Sequence, residues 1–354
     1  MLVWLLTRFG PLFDRLSGLD AGDSRIFLTG RIAAAALLSF VLAVALGPRA
    51  IDWLRGRFRE RIGSASARLN ELHAAKERTP TMGGLFIVAA VVCSSLFFGD
   101  LSNRFVQLAV LTCLGFGALG AVDDWVKIRS SRNGLTARQK FAVQVVLAAA
   151  ISAGLHGGSG GTTVLVAVAS LAWSSFVIVG TSNGVNLTDG LDGLAAGCCL
   201  FACGAFAAVC YLSGHAVLAD YLAITHVPGA GELAVVLGSL VGAMLGFLWF
   251  NAYPAQVFMG DTGSLPTGAV LALAALATRQ ELLLVVVGGI FVAETLSVFA
   301  QVACFKLTGR RLIACSPLHN HFLFEGMPET RIVVRFWIVA ALLAFAAVAS
   351  LKIG

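Results

Sequence analysis

The chain has 354 residues, of which 58% are hydrophobic and 12% charged, with a mean hydropathy of +0.87. A soluble domain averages about 25% charged residues, so a water-soluble globular protein is excluded and an integral membrane protein is expected. The net charge of +6 is not a nucleic-acid signature, because the basic residues are gathered into a few loops: of 25 Lys and Arg, eight lie in 48–80, five in 123–140 and five in 305–335.

A spanning helix needs roughly 20 apolar residues. The opening MLVWLLTRFGPLF is too short to span, lacks a signal-peptide cleavage pattern and reads as an interfacial segment. Apolar runs then predict spans at 27–47, 82–98, 105–122, 141–156, 162–180, 193–213, 233–250, 265–278, 282–304 and 332–351. The expected fold is all-α: one integral-membrane domain over 1–354 with about ten transmembrane helices and both termini outside. On that alternation the inside loops are 48–81, 123–140, 181–192, 251–264 and 305–331. All three basic clusters then fall inside, as the positive-inside rule requires. The outside loops 99–104, 157–161, 214–232 and 279–281 carry only Arg104 and Arg279. The eight cysteines lie mostly in apolar runs with no CxxC pair, and read as small core or lipid-facing residues rather than metal ligands or disulfides.

The acids carry the functional signal. An ionisable group at membrane depth is expensive and marks a functional site by default. Asp123 and Asp124, Asp189 and Asp192, and Asp261 sit in polar or Gly-rich breaks at the ends of apolar runs. Alternation puts all three breaks inside, where five carboxylates can converge. Carboxylates with little to neutralise them suit a hard cation such as Mg2+, which prefers oxygen ligands. Lys127, at i+4 and i+3 from the first pair, can offset part of that charge.

Asn186, Asp189 and Asp192 repeat at i, i+3, i+6 among Gly184, Gly190 and Gly193. On a helix they share a face; in a turn they ring a pocket. Gly260-Asp261 precedes an expected helix start, whose N–H groups can receive phosphate. Phe258 either stacks on a base or anchors at the membrane interface. His319 and His321 flank Asn320 and can hold phosphate, serve structure or bind zinc. His73 lies near Lys76 and Arg78 in what reads as a substrate-phosphate loop.

Six segments, in order, resemble one family. TPTMGG at 79–84, DDW at 123–125, NLTDGLDGLA at 186–195, VFMGDTGS at 257–264, FKLTGRR at 305–311 and SPLHNHF at 316–322 are similar to motifs of the bacterial phospho-N-acetylmuramoyl-pentapeptide transferases. These belong to the polyprenyl-phosphate N-acetylhexosamine-1-phosphate transferase superfamily. TPTMGG and RFWI at 335–338 resemble the muramoyl branch rather than the GlcNAc-1-phosphate branches. The resemblance implies ten transmembrane helices, Mg2+ dependence and a cytoplasmic active site in the bacterial inner membrane. It implies transfer of phospho-MurNAc-pentapeptide from its UDP derivative to undecaprenyl phosphate, giving lipid I and UMP, the first membrane step of peptidoglycan synthesis. By motif position it implies Asp123, Asp124, Asp261 and His319 as catalytic, with Asp261 as the Mg2+ ligand. Asn186, Asp189 and Asp192 match nucleotide-side polar residues, and Lys76, Gly190, Leu191, Asn251 and Phe258 match a uridine pocket; His321 is expected on substrate. Expected partners are the bilayer and the two substrates, with a homodimer left open. The chain departs from the family's three consecutive histidines at Asn320, and from its usual Gly at Arg78. Its loop from Asp124 is about one residue short, which leaves Arg138 and Lys140 without a clear counterpart.

A structural or scaffold membrane protein would leave the acids unexplained. Intramembrane acids and glycine-broken helices also fit a secondary transporter, but the chain shows no internal repeat and its acids share one face. A sister transferase using UDP-GlcNAc differs only in the donor.

Overall fold

The structure is a computed structural model that describes residues 1–3, 28–57, 76, 79–129, 134–157 and 164–352. Most of the expected interfacial segment, His73 and Arg78 lie outside the described residues. Thirteen helices are found among those described: α1 (Leu28–Arg57), α2 (Gly84–Phe98), α3 (Arg104–Arg129), α4 (Ala137–His156), α5 (Val164–Thr188), α6 (Leu194–Gly214), α7 (Ala216–Tyr221), α8 (Gly231–Asn251), α9 (Asp261–Thr278), α10 (Glu281–Val287), α11 (Gly289–Thr308), α12 (Leu318–Phe324) and α13 (Glu329–Ser350).

Seven of these, α1, α3, α5, α6, α8, α11 and α13, are long and apolar enough to cross a membrane. The expected spans at 82–98, 141–156 and 265–278 are helical as α2, α4 and α9, but do not meet that criterion. Helix α2 has only 15 residues. Helix α4 opens on Ala-Arg-Gln-Lys, and α9 on Asp-Thr-Gly-Ser, so each gives its first turn to polar work. The expected span at 282–304 is two helices, parted at Gly288.

Two helices also run further than hydropathy predicts. Helix α3 continues through Asp123 and Asp124 to Arg129, and α5 continues through Asn186 to Thr188. Both ends were expected as loops. Within these extensions Asp124 and Asn186 find their partners on α9.

Helix α9 is the centre of the bundle. All of its residues are buried, and it packs against α2, α3, α5 and α6. Beside it, α8 lies against α1 through Gly238, Gly242 and Gly246. A Cβ at Gly242 would overlap the carbonyl of Ala36, so the two backbones touch where a larger side chain would hold them apart. Small residues at such seams substitute for the hydrophobic drive that lipid removes. The buried cysteines of α6, Cys198, Cys199, Cys203 and Cys210, belong to the same apolar core.

At the end of the bundle away from the acids, an ion pair between buried Arg31 and largely buried Glu232 ties α1 to α8. Arg31 Nη1 lies 2.9 Å and Nη2 2.5 Å from the carboxylate of Glu232, and Nη1 also donates to the Phe98 carbonyl at 3.1 Å. The Asp100 N–H completes the Glu232 shell at 3.0 Å. Breaking one partner of a buried pair costs about 3–5 kcal/mol, because the other charge is left unpaired. Glu232→Ala is therefore expected to lower thermal stability in detergent by an amount of that order, without direct effect on the distant acids. An unchanged melting profile would show that the pair carries no load.

Candidate active site

The site is assembled from helix ends. Asp123 and Asp124 lie within the last two turns of α3, and consecutive residues on a helix point about 100° apart. They accordingly serve different partners. Asp124 turns to α9, where its carboxylate accepts from the N–H of Asp261 at 3.2 Å, the N–H of Thr262 at 3.0 Å and the Thr262 hydroxyl at 2.7 Å. The first N–H groups of a helix have no partner of their own, and Asp124 supplies one from another helix. Gly260 leads into this turn with φ 69° and ψ 177°, a backbone state open essentially only to glycine. Asp123, also buried, faces the 134–135 turn and accepts from the Leu135 N–H at 2.9 Å.

Asp261 thus begins α9 directly beside both acids. Oxygens of Asp123, Asp124 and Asp261, all three buried, lie within 4.8 Å of one another. Two lysines meet them. Lys127 Nζ is 2.8 Å from Asp123, 3.1 Å from Asp261 and 3.5 Å from Asp124. Lys140 pairs with Asp261 and stands 3.9 Å from Asp123. Three carboxylates against two ammonium groups leave one formal negative charge. The triad fits a metal ion on the chemistry of its donors: three acid groups, all oxygen, around a point that already attracts the Lys127 ammonium. That set suits a hard divalent cation.

Lys140 reaches the triad because α4 is set from its first turn. Thr136 and Gln139 form a reciprocal capping box at its start. One turn further, Gln144 and Asn183 exchange amide hydrogen bonds, the closer at 2.8 Å, and lock α4 to α5. Asn186, three residues beyond Asn183, then donates to Asp261 and to Ser264, each at 2.8 Å.

A second cluster lies on the turn between α5 and α6. Lys76 Nζ is 2.6 Å from Asp192 and 2.5 Å from Glu329, the first residue of α13. Glu329 also accepts from the Asp192 N–H at 2.7 Å, and Asp192 accepts from the Ala255 N–H at 2.9 Å. Asn251 staples this turn to the 252–260 loop: its oxygen accepts from the Gly193 N–H at 3.0 Å and its amide donates to the Val257 carbonyl at 2.9 Å. Asn186 and Asp192 therefore serve separate clusters rather than one pocket wall. Asp189 lies between them, partly buried, with its N–H on the Asn186 carbonyl. Leu191 is buried in the apolar core. Phe258 is half-buried; its N–H donates to the Pro80 carbonyl and its own carbonyl accepts from the Gly83 N–H, both at 2.8 Å. The TPTMGG segment thus clamps the loop that leads to Asp261.

His319 is buried on α12, and Gly190 lies directly beneath its ring. Asn320 is buried next to it, while His321 is partly exposed and 3.5 Å from Glu325. Sequence reasoning missed Glu329, Glu294 and the contact from Lys140 to Asp261. Glu294, the acid inside α11, carried the same signal as the others, an ionisable residue within an apolar run.

Residues 106–279 match the Glycosyl transferase family 4 profile. The chain is 45% identical, over 100% of both chains, to the phospho-N-acetylmuramoyl-pentapeptide-transferase of Solidesulfovibrio magneticus. It is also 45% identical to the protein of the same name from Desulfosudis oleivorans, over 92% of this chain and 94% of that relative. Full-length identity at this level, on a helical membrane scaffold whose motif residues gather at one end, is decisive: the chain belongs to the phospho-N-acetylmuramoyl-pentapeptide transferase family.

Proposed function

We propose that the chain transfers phospho-MurNAc-pentapeptide from UDP-MurNAc-pentapeptide to undecaprenyl phosphate, giving lipid I and UMP. The observation that carries this reading is the convergence of Asp123, Asp124 and Asp261 with Lys127 and Lys140 in a member of that family. Phosphoryl transfer needs charge neutralisation and alignment more than covalent work by the protein. An oxygen of the lipid phosphate attacks the sugar-linked phosphorus, the pyrophosphate P–O bond breaks, and UMP leaves with the bridging oxygen.

Asp261 is the residue that would hold Mg2+, with the neighbouring acids beside it. When bound, the ion supplies positive charge to the pyrophosphate as a Lewis acid. Asp123 orients the lipid phosphate and accepts any proton it carries. Asp124 holds the start of α9, and so holds Asp261 in place. Lys127 and Lys140 are released from the acids onto phosphate oxygens as substrate enters. Lys76, Asp192 and Asn251 form the uridine side, with Asp189, Gly190 and Leu191 in the same turn, and His319 and His321 steady the phosphates.

The membrane arrangement we propose has ten crossings: the seven long apolar helices together with α2, α4 and α9, with α10 and α11 crossing as one unit. Both termini then lie outside and the acids face the cytoplasm of the inner membrane. Meeting of the polar breaks at one end of the bundle supports this, as does the gathering of basic residues in 48–80, 123–140 and 305–335.

Phe258 is read as the platform for the uracil ring. Base–aromatic stacking is worth about 1–3 kcal/mol, and it is present in ground and transition states alike. Phe258→Ala is expected to raise the KM for the UDP-sugar by roughly five- to a hundredfold and to change kcat little. An unchanged KM would return Phe258 to an interfacial anchor.

The donor is tested by offering purified protein undecaprenyl phosphate and Mg2+ with UDP-MurNAc-pentapeptide or UDP-GlcNAc in parallel. UMP release with the first alone is expected. Release with UDP-GlcNAc alone would identify a sister transferase, and release with neither would overturn the transferase reading.

A further inference from the structure

Glu294 lies inside α11 and is fully buried. A carboxylate in that position is costly unless paired and hydrogen-bonded. Both of its oxygens face a single residue. One accepts from the main-chain N–H of His319 at 3.1 Å, with the other at 3.5 Å, and the second lies 3.2 Å from Nδ1 of the same imidazole. Nδ1 is buried and makes no hydrogen bond in the structure, and the Glu294 carboxylate at 3.2 Å is the acceptor within its reach.

The opposite side of the ring is equally constrained. Nε2 of His319 rests on Gly190, where a Cβ would overlap it. Gly190 sits in the turn between Asp189 and Leu191, the turn that also carries Asp192. The imidazole is therefore held between an acid deep in the helix bundle and the polar turn of the site. With the Nδ1 proton turned toward Glu294, Nε2 is the atom left for substrate. It is an acceptor in the neutral ring and a second N–H donor in the imidazolium.

We propose that Glu294 is a positioning residue for His319: it fixes the ring as the Nδ1–H form and presents Nε2 to the substrate side of the site. The role in turnover rests on the transferase reading above; the tautomer does not. A carboxylate is acceptor-only and can receive both the main-chain N–H and Nδ1–H. An amide has one acceptor oxygen and one donor NH2, so Glu294→Gln must set a donor against one of the two. The main chain cannot change its proton, but the ring can. Glu294→Gln should therefore drive His319 toward the Nε2–H form with almost no change in volume. In a Ser-His-Asp site the same exchange lowers kcat about 10⁴-fold through the wrong tautomer.

The experiment is 15N NMR of histidine-labelled protein in detergent, without substrate, at a pH where the ring is neutral. The His319 signals are assigned by their loss in His319→Gln. Wild type is expected to show Nδ1–H, Glu294→Gln a majority of Nε2–H, and Glu294→Asp a return to Nδ1–H. In assays, Glu294→Gln should lower kcat at least about tenfold with the nucleotide KM within about twofold, and Glu294→Asp should recover part of the loss. An Nε2–H form in wild type, or Nδ1–H retained in folded Glu294→Gln at normal kcat, overturns the proposal. If Glu294→Gln does not fold, wild type and Glu294→Asp decide alone, since both must show Nδ1–H. Inactive wild type that still shows Nδ1–H would count against the transferase reading and not against the pairing.

Discussion

Asp261→Asn is expected to lower turnover by at least about a hundred- to a thousandfold, the scale seen when one preorganised electrostatic group is removed from a hydrolase oxyanion hole. Asp261 receives Lys127, Lys140 and Asn186 through its side chain. Its replacement by an amide takes one anion from a set of three and offers an NH2 group to two ammonium groups. It also removes the anionic oxygen that a hard cation prefers. The fold should survive, because the main-chain N–H of residue 261 and both Thr262 donors still reach Asp124. The measurement is rate against Mg2+ concentration for wild type and variant, with melting curves alongside. A near-normal rate in Asp261→Asn, together with a wild type indifferent to Mg2+, would sink the metal assignment.

Gly120→Ala is expected to damage both stability and rate. Helix α3 meets the first turn of α9 at this glycine, with backbone against backbone: a Cβ on Gly120 would overlap the carbonyl of Asp261 and come within 2.6 Å of the Thr262 nitrogen. No side chain can rotate away there, so α9 must move. Forcing extra volume into a packed seam costs about 1–3 kcal/mol. The displaced element carries Asp261 away from Asp123 and Asp124, and a misplacement near 1 Å can cost about 10²-fold in rate. Gly115→Ala on the same helix is the control, because its Cβ would meet only Leu147 at 3.4 Å. Equal behaviour of the two variants would mean that the α3–α9 approach does not set the site.

The acids were legible because the membrane makes them conspicuous: Asp123, Asp124, Asp192 and Asp261 interrupt runs that are otherwise apolar. Their division of labour was not. Adjacent Asp123 and Asp124 look alike in sequence, yet one grips the start of α9 and the other faces the 134–135 turn. That difference exists only once α9 is laid against α3. Helix ends were misread at Arg129 and Thr188 for a related reason: hydropathy stops where the apolar run stops, while α3 and α5 continue into tertiary partners. Lys140 could not be placed by counting, because its reach to Asp261 depends on the start and register of α4. The glycines at 84 and 120 read as ordinary small residues of apolar spans. Only the packed bundle shows Gly84 against the backbone of Gly263 and Gly120 against that of Asp261. Glu294 was visible by the same physics as the other acids, but stood alone in its run, and its partner was 25 residues away.

The most direct test is a single reconstitution. Purified protein in liposomes containing undecaprenyl phosphate is given UDP-MurNAc-pentapeptide and Mg2+, and UMP and the lipid-linked sugar are measured together. The expected result is formation of the two in equal amounts, lost on chelation of Mg2+ and absent in Asp261→Asn. Lipid-linked product formed at the same rate by Asp261→Asn, or no product at all from folded wild type, would contradict the assignment of this reaction to the Asp123–Asp124–Asp261 site.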